Sequence, residues 1–322
     1  MRSTFVNSTA LDTAISAVGL RKSFGDHTVL NGIDLRVPAG TVFALLGPNG
    51  AGKTTTVQIL STLIPADGGR ITVAGHDLDG DADGVRGVIG VTGQFSAVDD
   101  LLTGAENLRL MADLHHLDRA EGRRRVAELL ETFDLTEAGN RAPTTYSGGM
   151  RRRLDLAMTL VGNPRVIFLD EPTTGLDPRS RRTMWQVIRD LAAGGTTIFL
   201  TTQYLEEADQ LSDRIAVLDG GRIVAEGTAA ELKQLVPGGH IRLQFADPAD
   251  LDRAAAVLAS SARDDEALAL EVASDGSVHS LRTVLGRLDD HAIDVDKLTL
   301  HSPDLDDVFL NLTDRPATEV SR

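Results

Sequence analysis

Gly47-Pro48-Asn49-Gly50-Ala51-Gly52-Lys53-Thr54-Thr55 sets the interpretation of the whole chain. It has the spacing G-x-x-x-x-G-K-[ST] of a phosphate-binding loop. Before it, Thr41-Val42-Phe43-Ala44-Leu45-Leu46 is an apolar run that reads as a buried strand, and after it Thr54 to Leu63 reads as a helix. The glycines let the backbone curl so that successive N–H groups face one anion. The helix presents its positive dipole end to the same anion. In this pattern Lys53 reaches the β- and γ-phosphates of a nucleotide and Thr54 ligates Mg²⁺. A glycine-rich turn that binds nothing is the plain alternative. It leaves the flanking strand, the Lys-Thr pair and the helix without a purpose.

Beyond this loop, the whole chain of 322 residues is long enough for one large domain or two ordinary ones. Its 42% hydrophobic and 25% charged content is that of a globular protein. A net charge of −15 argues against a nucleic-acid binder that works by bulk charge, so no nucleic-acid partner is expected. The chain has no cysteine, which excludes disulfides, thiolate metal sites and a cysteine nucleophile. No apolar run approaches the roughly 18 residues that span a bilayer. Met1-Arg2-Ser3-Thr4-Phe5 lacks an apolar signal core. The expectation is a cytoplasmic protein that meets a membrane only through a partner.

Upstream of the loop, Ala14 to Leu20 and Ile33 to Val37 alternate like strands, with Phe24 between them. Phe24 is either a core aromatic or a platform for a purine ring. Downstream, Val88 to Val91 reads as a strand ending at Gln94, whose amide can both donate and accept near a γ-phosphate. Leu101 to Leu117 and Ala120 to Phe133 are helical by spacing, and Arg123-Arg124-Arg125 reads as a solvated helix face. Tyr146-Ser147-Gly148-Gly149-Met150 opens another helix. Alone, Ser147 reads as its N-cap; with bare backbone N–H groups beside it, the turn is also a second anion site.

Val166 to Leu169 is a buried strand that ends in Asp170-Glu171-Pro172. Asp170 at such a strand end can hold Mg²⁺, and Glu171 can orient or deprotonate a water. Thr173-Thr174-Gly175-Leu176-Asp177 comes next as a turn, and the strand Thr196 to Leu200 ends in Thr201-Thr202-Gln203.

In this order the pieces resemble the nucleotide-binding subunit of ABC transporters over roughly Ala14 to Leu235. More narrowly they resemble the daunorubicin-resistance type found with antibiotic exporters. Val91 to Gln94, Tyr146 to Asp155, Thr201 to Leu211 and Leu305 to Thr313 carry that likeness. The resemblance implies an α/β fold: a P-loop ABC ATPase core with a RecA-like sheet, an antiparallel β-subdomain and a helical subdomain. It also implies an ATPase that drives drug export through a separate transmembrane permease, and a homodimer that sandwiches two ATP molecules. Phe24 would stack adenine, Gly47 to Thr55 would cradle the triphosphate, and Gln94 would touch Mg²⁺ and the attacking water. Ser147, Gly148 and Gly149 would close over ATP bound in the other subunit, with Asp177 at the seam. Asp170 would hold Mg²⁺, and Glu171 would be the general base. Gln203 stands where a histidine usually meets the γ-phosphate, and the signature reads Tyr-Ser-Gly-Gly-Met rather than Leu-Ser-Gly-Gly-Gln. Both departures bear on turnover more than on binding.

The domain expectation is a frayed 1–13, a nucleotide-binding domain over 14–236, a small α+β domain over 237–315 and a tail over 316–322. Pro237-Gly238-Gly239 breaks the chain, and the segment beyond it holds strand-like and helical stretches without a chemical motif. A dimerisation or docking appendage is the preferred reading of that segment. Two other functions remain open at this stage. One is a non-transport ATPase of the same superfamily acting on ribosome or DNA, which expects tandem halves or a basic arm. The other is a nucleotide-gated module with little turnover, which Gln203 alone favours.

Overall fold

The computed structural model describes residues 13–93, 97–236, 239–258, 260–274, 277–301 and 303–313. They fall into two units that divide between Ala229 and Ala230.

The first unit runs β1 (Thr13–Phe24), β2 (His27–Pro38), β3 (Val42–Leu46), α1 (Lys53–Leu60), β4 (Gly68–Val73), β5 (His76–Asp77), α2 (Ala82–Val88) and β6 (Ile89–Thr92). It continues through α3 (Gly104–Leu114), α4 (Arg119–Thr132), a 3₁₀ turn at Pro143–Thr145, α5 (Gly148–Thr159), β7 (Val166–Asp170), α6 (Pro178–Ala193), β8 (Thr197–Thr202), α7 (Leu205–Leu211), β9 (Arg214–Asp219) and β10 (Arg222–Gly227). A short helix α8 (Ala229–Lys233) crosses the division.

Every residue of β3, β7 and β8 is buried, as strands covered on both faces must be. They lie in a six-stranded sheet of order β10-β9-β3-β8-β7-β6, parallel except for the edge strand β10. β1 alternates instead, and it pairs antiparallel with β2 and β4 in the sheet β2-β1-β4-β5. The two sheets share one core. Ile15, Leu20, Leu30 and Ile33 of the antiparallel layer join Phe43, Leu45, Phe168 and Phe199 of the parallel one. Phe43 and Phe199 stack with ring centroids 5.7 Å apart.

Helices α3, α4 and α5 form the helical part. Thr103 and Glu106 close a capping box at the start of α3. Arg125 is a tether rather than a solvated side chain, because its Nη2 donates to Leu160 O at 2.6 Å, while Arg123 and Arg124 are exposed.

The parallel order has one consequence for function. The C-terminal ends of β3, β8, β7 and β6 are neighbours at one edge of the sheet, where such folds bind ligands. Leu46 pairs with Thr202, Asp170 with Thr201 and Thr92 with Leu169, so the loops after these strands all leave from one line.

The second unit holds an antiparallel sheet of order β12-β13-β11-β14, whose core takes in residues of two of its helices. Its elements are β11 (His240–Gln244), α9 (Pro248–Val257), β12 (Ser260–Asp264), β13 (Ala269–Ala273), α10 (Val278–Asp290), β14 (Lys297–His301) and α11 (Leu305–Thr313). Ile241, Leu243, Phe245, Leu251, Leu270 and Leu288 make its own core. In α11 Val308 is buried and Leu310 is exposed.

Candidate active site

The loop after β3 begins at Gly47, where a Cβ would lie 2.3 Å from Leu218 O; only glycine lets the chain turn there. Gly52 has φ +108°, in the left-handed region, and it ends the loop as the residue before α1. Lys53, buried at the start of α1, donates from Nζ to Gly47 O at 2.9 Å and Pro48 O at 3.1 Å. Burial pulls its pKa below the ordinary 10.5, and the carboxylates of Glu171 and Asp170 oppose that pull. Thr54 Oγ1 donates to Asp170 Oδ1 at 3.3 Å.

Asp170 is the last residue of β7 and is buried. Its Oδ1 also accepts from the Thr201 hydroxyl. Glu171 comes next with φ +48°, an uncommon conformation for a non-glycine residue. Its N–H donates to Thr201 O and Thr201 Oγ1, each at 3.1 Å, and its Oε2 accepts from Thr174 Oγ1 at 3.2 Å. A cleft of about 500 Å³ opens over these groups. Val29, Asn49, Gly50, Gly52, Lys53, Thr54, Thr55, Glu171, Thr174 and Gln203 line it.

Of the expected site residues, the loop from Asn49 to Thr55, Asp170, Glu171 and Gln203 are thus brought together, Asp170 through its contact with Thr54 and Ala51 as a buried spacer. Phe24 is 52% exposed, which removes the core reading; Lys22 Nζ lies 5.4 Å from its ring, and Phe24 is not among the cleft's lining residues. Ser147 caps α5, accepting from Met150 N at 3.2 Å, and Gly149 is buried behind it. Asp177 caps α6, accepting from the N–H groups of Arg179 and Ser180 and from the Ser180 hydroxyl. The Ser180 contacts hold its carboxyl below the usual carboxylate range. Gln94 lies outside the described residues.

Sequence reasoning missed Val29, Thr174 and Glu207. Val29 comes from β2, far along the chain, and nothing local marks it. Thr174 stands in a segment that reads only as a turn. Glu207, fully buried in α7, accepts at Oε1 from Thr173 Oγ1 at 2.7 Å and Trp185 Nε1 at 3.1 Å. Burial raises its pKa, and the hydrogen bonds from Thr173, Thr202 and Trp185 partly offset the rise.

The donor set fits a nucleoside triphosphate with a hard cation: a buried ammonium, backbone N–H groups of a glycine-rich loop, and oxygen ligands from Thr54 and Asp170. A strand-loop-helix with this lysine, set beside the strand-end pair Asp170-Glu171, defines a P-loop ATPase. The ABC transporter family model matches residues 30–174. The daunorubicin resistance ATP-binding protein DrrA3 of Streptomyces coeruleorubidus is 50% identical over 304 residues, 94% of this chain and 96% of that one. The daunorubicin/doxorubicin resistance ATP-binding protein DrrA of Streptomyces peucetius is 47% identical over 313 residues, 96% of this chain and 94% of that one. A solved ATP-binding cassette, dimeric in a post-hydrolysis state with ADP and Pi, superposes with a TM-score of 0.60 at 26% identity, covering 66% of this chain and 98% of that one. The chain belongs to the ABC transporter family, as an ATP-binding subunit that hydrolyses ATP.

Proposed function

We propose that this chain powers export of a hydrophobic drug of the anthracycline class through a separate transmembrane permease. The observation that carries the ATPase part is the convergence of Lys53, Thr54, Asp170, Glu171 and Gln203 on one edge of the parallel sheet. The drug class rests on the two resistance proteins, which match nearly the whole of this chain.

In this reading Gly47 to Thr55 wrap the phosphates of ATP and Phe24 stacks its base. Thr54, Asp170 and Gln94 are the ligands for Mg²⁺, which neutralises charge on the phosphate oxygens when bound. Glu171 takes the proton of the attacking water, and Gln203 donates an amide hydrogen to the γ-phosphate. Ser147, Gly148, Gly149 and Asp177 face the nucleotide of a second copy, so that ATP joins two chains. ATP-dependent association is expected because each nucleotide is shared. No helix among the described residues is long and apolar enough to cross a membrane. The chain works at the cytoplasmic face of the cell membrane, held there by its permease. The second unit serves dimerisation or docking; among the described residues it has no cluster of metal-ligating side chains.

Co-expression with a candidate transmembrane permease, then uptake of doxorubicin into inside-out vesicles, tests the proposal. Uptake should require ATP and fail with Lys53→Ala. ATP hydrolysis without any drug movement would leave the ATPase and remove the export reading.

A further inference from the structure

Arg152 sits in the second turn of α5, largely buried, and its guanidinium serves four acceptors. Nε donates to Pro172 O at 3.0 Å, and Nη2 donates to Asp170 O at 3.2 Å. Nη1 donates to Gly93 O at 3.0 Å and to Asp155 Oδ2 at 3.2 Å. Asp155, one turn on in α5, balances the charge and accepts from Ala97 N at 3.0 Å through its other oxygen.

Three of the four acceptors are main-chain carbonyls, and their places in the fold are specific. The β6–β7 ladder ends at Thr92 and Leu169. Gly93 follows β6 and Asp170 is the last residue of β7, and Arg152 ties their carbonyls together where the ladder stops. Asp170 O and Pro172 O also lie on either side of Glu171. The Asp170–Glu171 peptide is therefore held at both ends, its oxygen by Arg152 and its N–H by Thr201. Glu171 O, between the two carbonyls that Arg152 holds, accepts from Thr174 N at 3.3 Å. A non-glycine residue at φ +48° persists only where its surroundings over-determine it. These contacts are that determination, and α5 supplies the part that spans both sides.

The geometry points to Arg152 as a positioning residue for hydrolysis: it fixes the backbone on both sides of Glu171 and thereby the direction of that carboxylate. The inference rests on Glu171 being the base. It also gives α5, the helix that opens at Ser147, a rigid link to the hydrolytic residue. Lysine cannot replace arginine in this role. A single ammonium keeps the charge beside Asp155 but lacks the planar fork that reaches carbonyls in different directions.

The test compares the full chain with Arg152→Lys, Glu171→Gln and the double variant, measuring equilibrium ATP binding and steady-state turnover. Arg152→Lys should bind ATP within about threefold of wild type and hydrolyse it roughly 10–100-fold more slowly, the scale of a small misplacement of a reacting group. The double variant should be no slower than Glu171→Gln alone, because the role inferred for Arg152 runs through that carboxylate. Arg152→Gln, which drops the buried cation, is read in the same way if the lysine variant does not fold. Turnover within about threefold of wild type, ATP affinity that falls together with turnover, or additive losses in the double variant would each overturn the inference. Normal hydrolysis by Glu171→Gln would remove the base itself, and this inference with it.

Discussion

Lys53 Nζ stands 3.6 Å from Glu171 Oε1, both side chains largely buried. The ammonium that the phosphate loop presents and the carboxylate at the end of β7 thus belong to one electrostatic unit. Each offsets part of the cost of burying the other. A triphosphate entering the cleft meets a cation already fixed beside Glu171, the proposed general base, so the proposed binding and chemical groups share one contact.

Lys53→Ala removes that cation. A charge-assisted hydrogen bond is worth about 1.5–3 kcal/mol, so ATP binding should weaken by roughly 10–100-fold and turnover should vanish. Equilibrium ATP binding measures this. Affinity within about twofold of wild type would reassign the loop.

Gln203 leaves β8 beside the cleft and carries no charge at any pH. Gln203→Ala should lower turnover by about 10²–10³-fold with little change in ATP binding, because in the proposed mechanism the lost donor faces developing charge. Gln203→His should gain an acid limb in its rate profile near pH ~6.5, which wild type lacks at this position. Turnover of the alanine variant within a few-fold of wild type, with the permease present, would place Gln203 outside the reaction.

Glu207 gives the stability of the first unit a pH dependence of known sign. Its folded pKa lies above the ordinary 4.5. Well below 4.5 both the folded and unfolded chains hold the proton. As pH rises, the unfolded chain releases it first, so this contribution to stability declines and is lost once pH passes the raised folded value. Glu207→Gln has no such titration. The Tm of wild type minus that of Glu207→Gln should therefore fall as pH is raised from below 4.5. Parallel Tm curves would show that folding leaves the pKa of this carboxyl where the unfolded chain has it.

Much of this site is legible in the sequence because its chemistry needs fixed spacing. The loop from Gly47 to Thr55 is local, and Asp170-Glu171 closes a run of apolar residues that has to be a strand. What escapes a linear reading depends on contacts made across the fold. The acceptors of Arg152 are backbone carbonyls at Gly93, Asp170 and Pro172, and no residue type announces them. Helix α6 is hard to see in the sequence because only Met184, Trp185 and Ile188 are buried along its length, too thin an apolar stripe to stand out. Helix α2 contains Gly84 and Gly87, which weaken the helical signal, and β12 is a short polar edge strand.

In the proposed mechanism hydrolysis turns on Glu171, which follows β7 with φ +48° and would take the water's proton. The decisive measurement is the turnover of Glu171→Gln on the full chain with saturating ATP and Mg²⁺. Glutamine keeps the size and the hydrogen bond from Thr174 but cannot accept a proton. ATP should remain bound while hydrolysis falls by about 10²-fold or more, the scale of general-base catalysis. Hydrolysis at the wild-type rate would show that Glu171 is not the base.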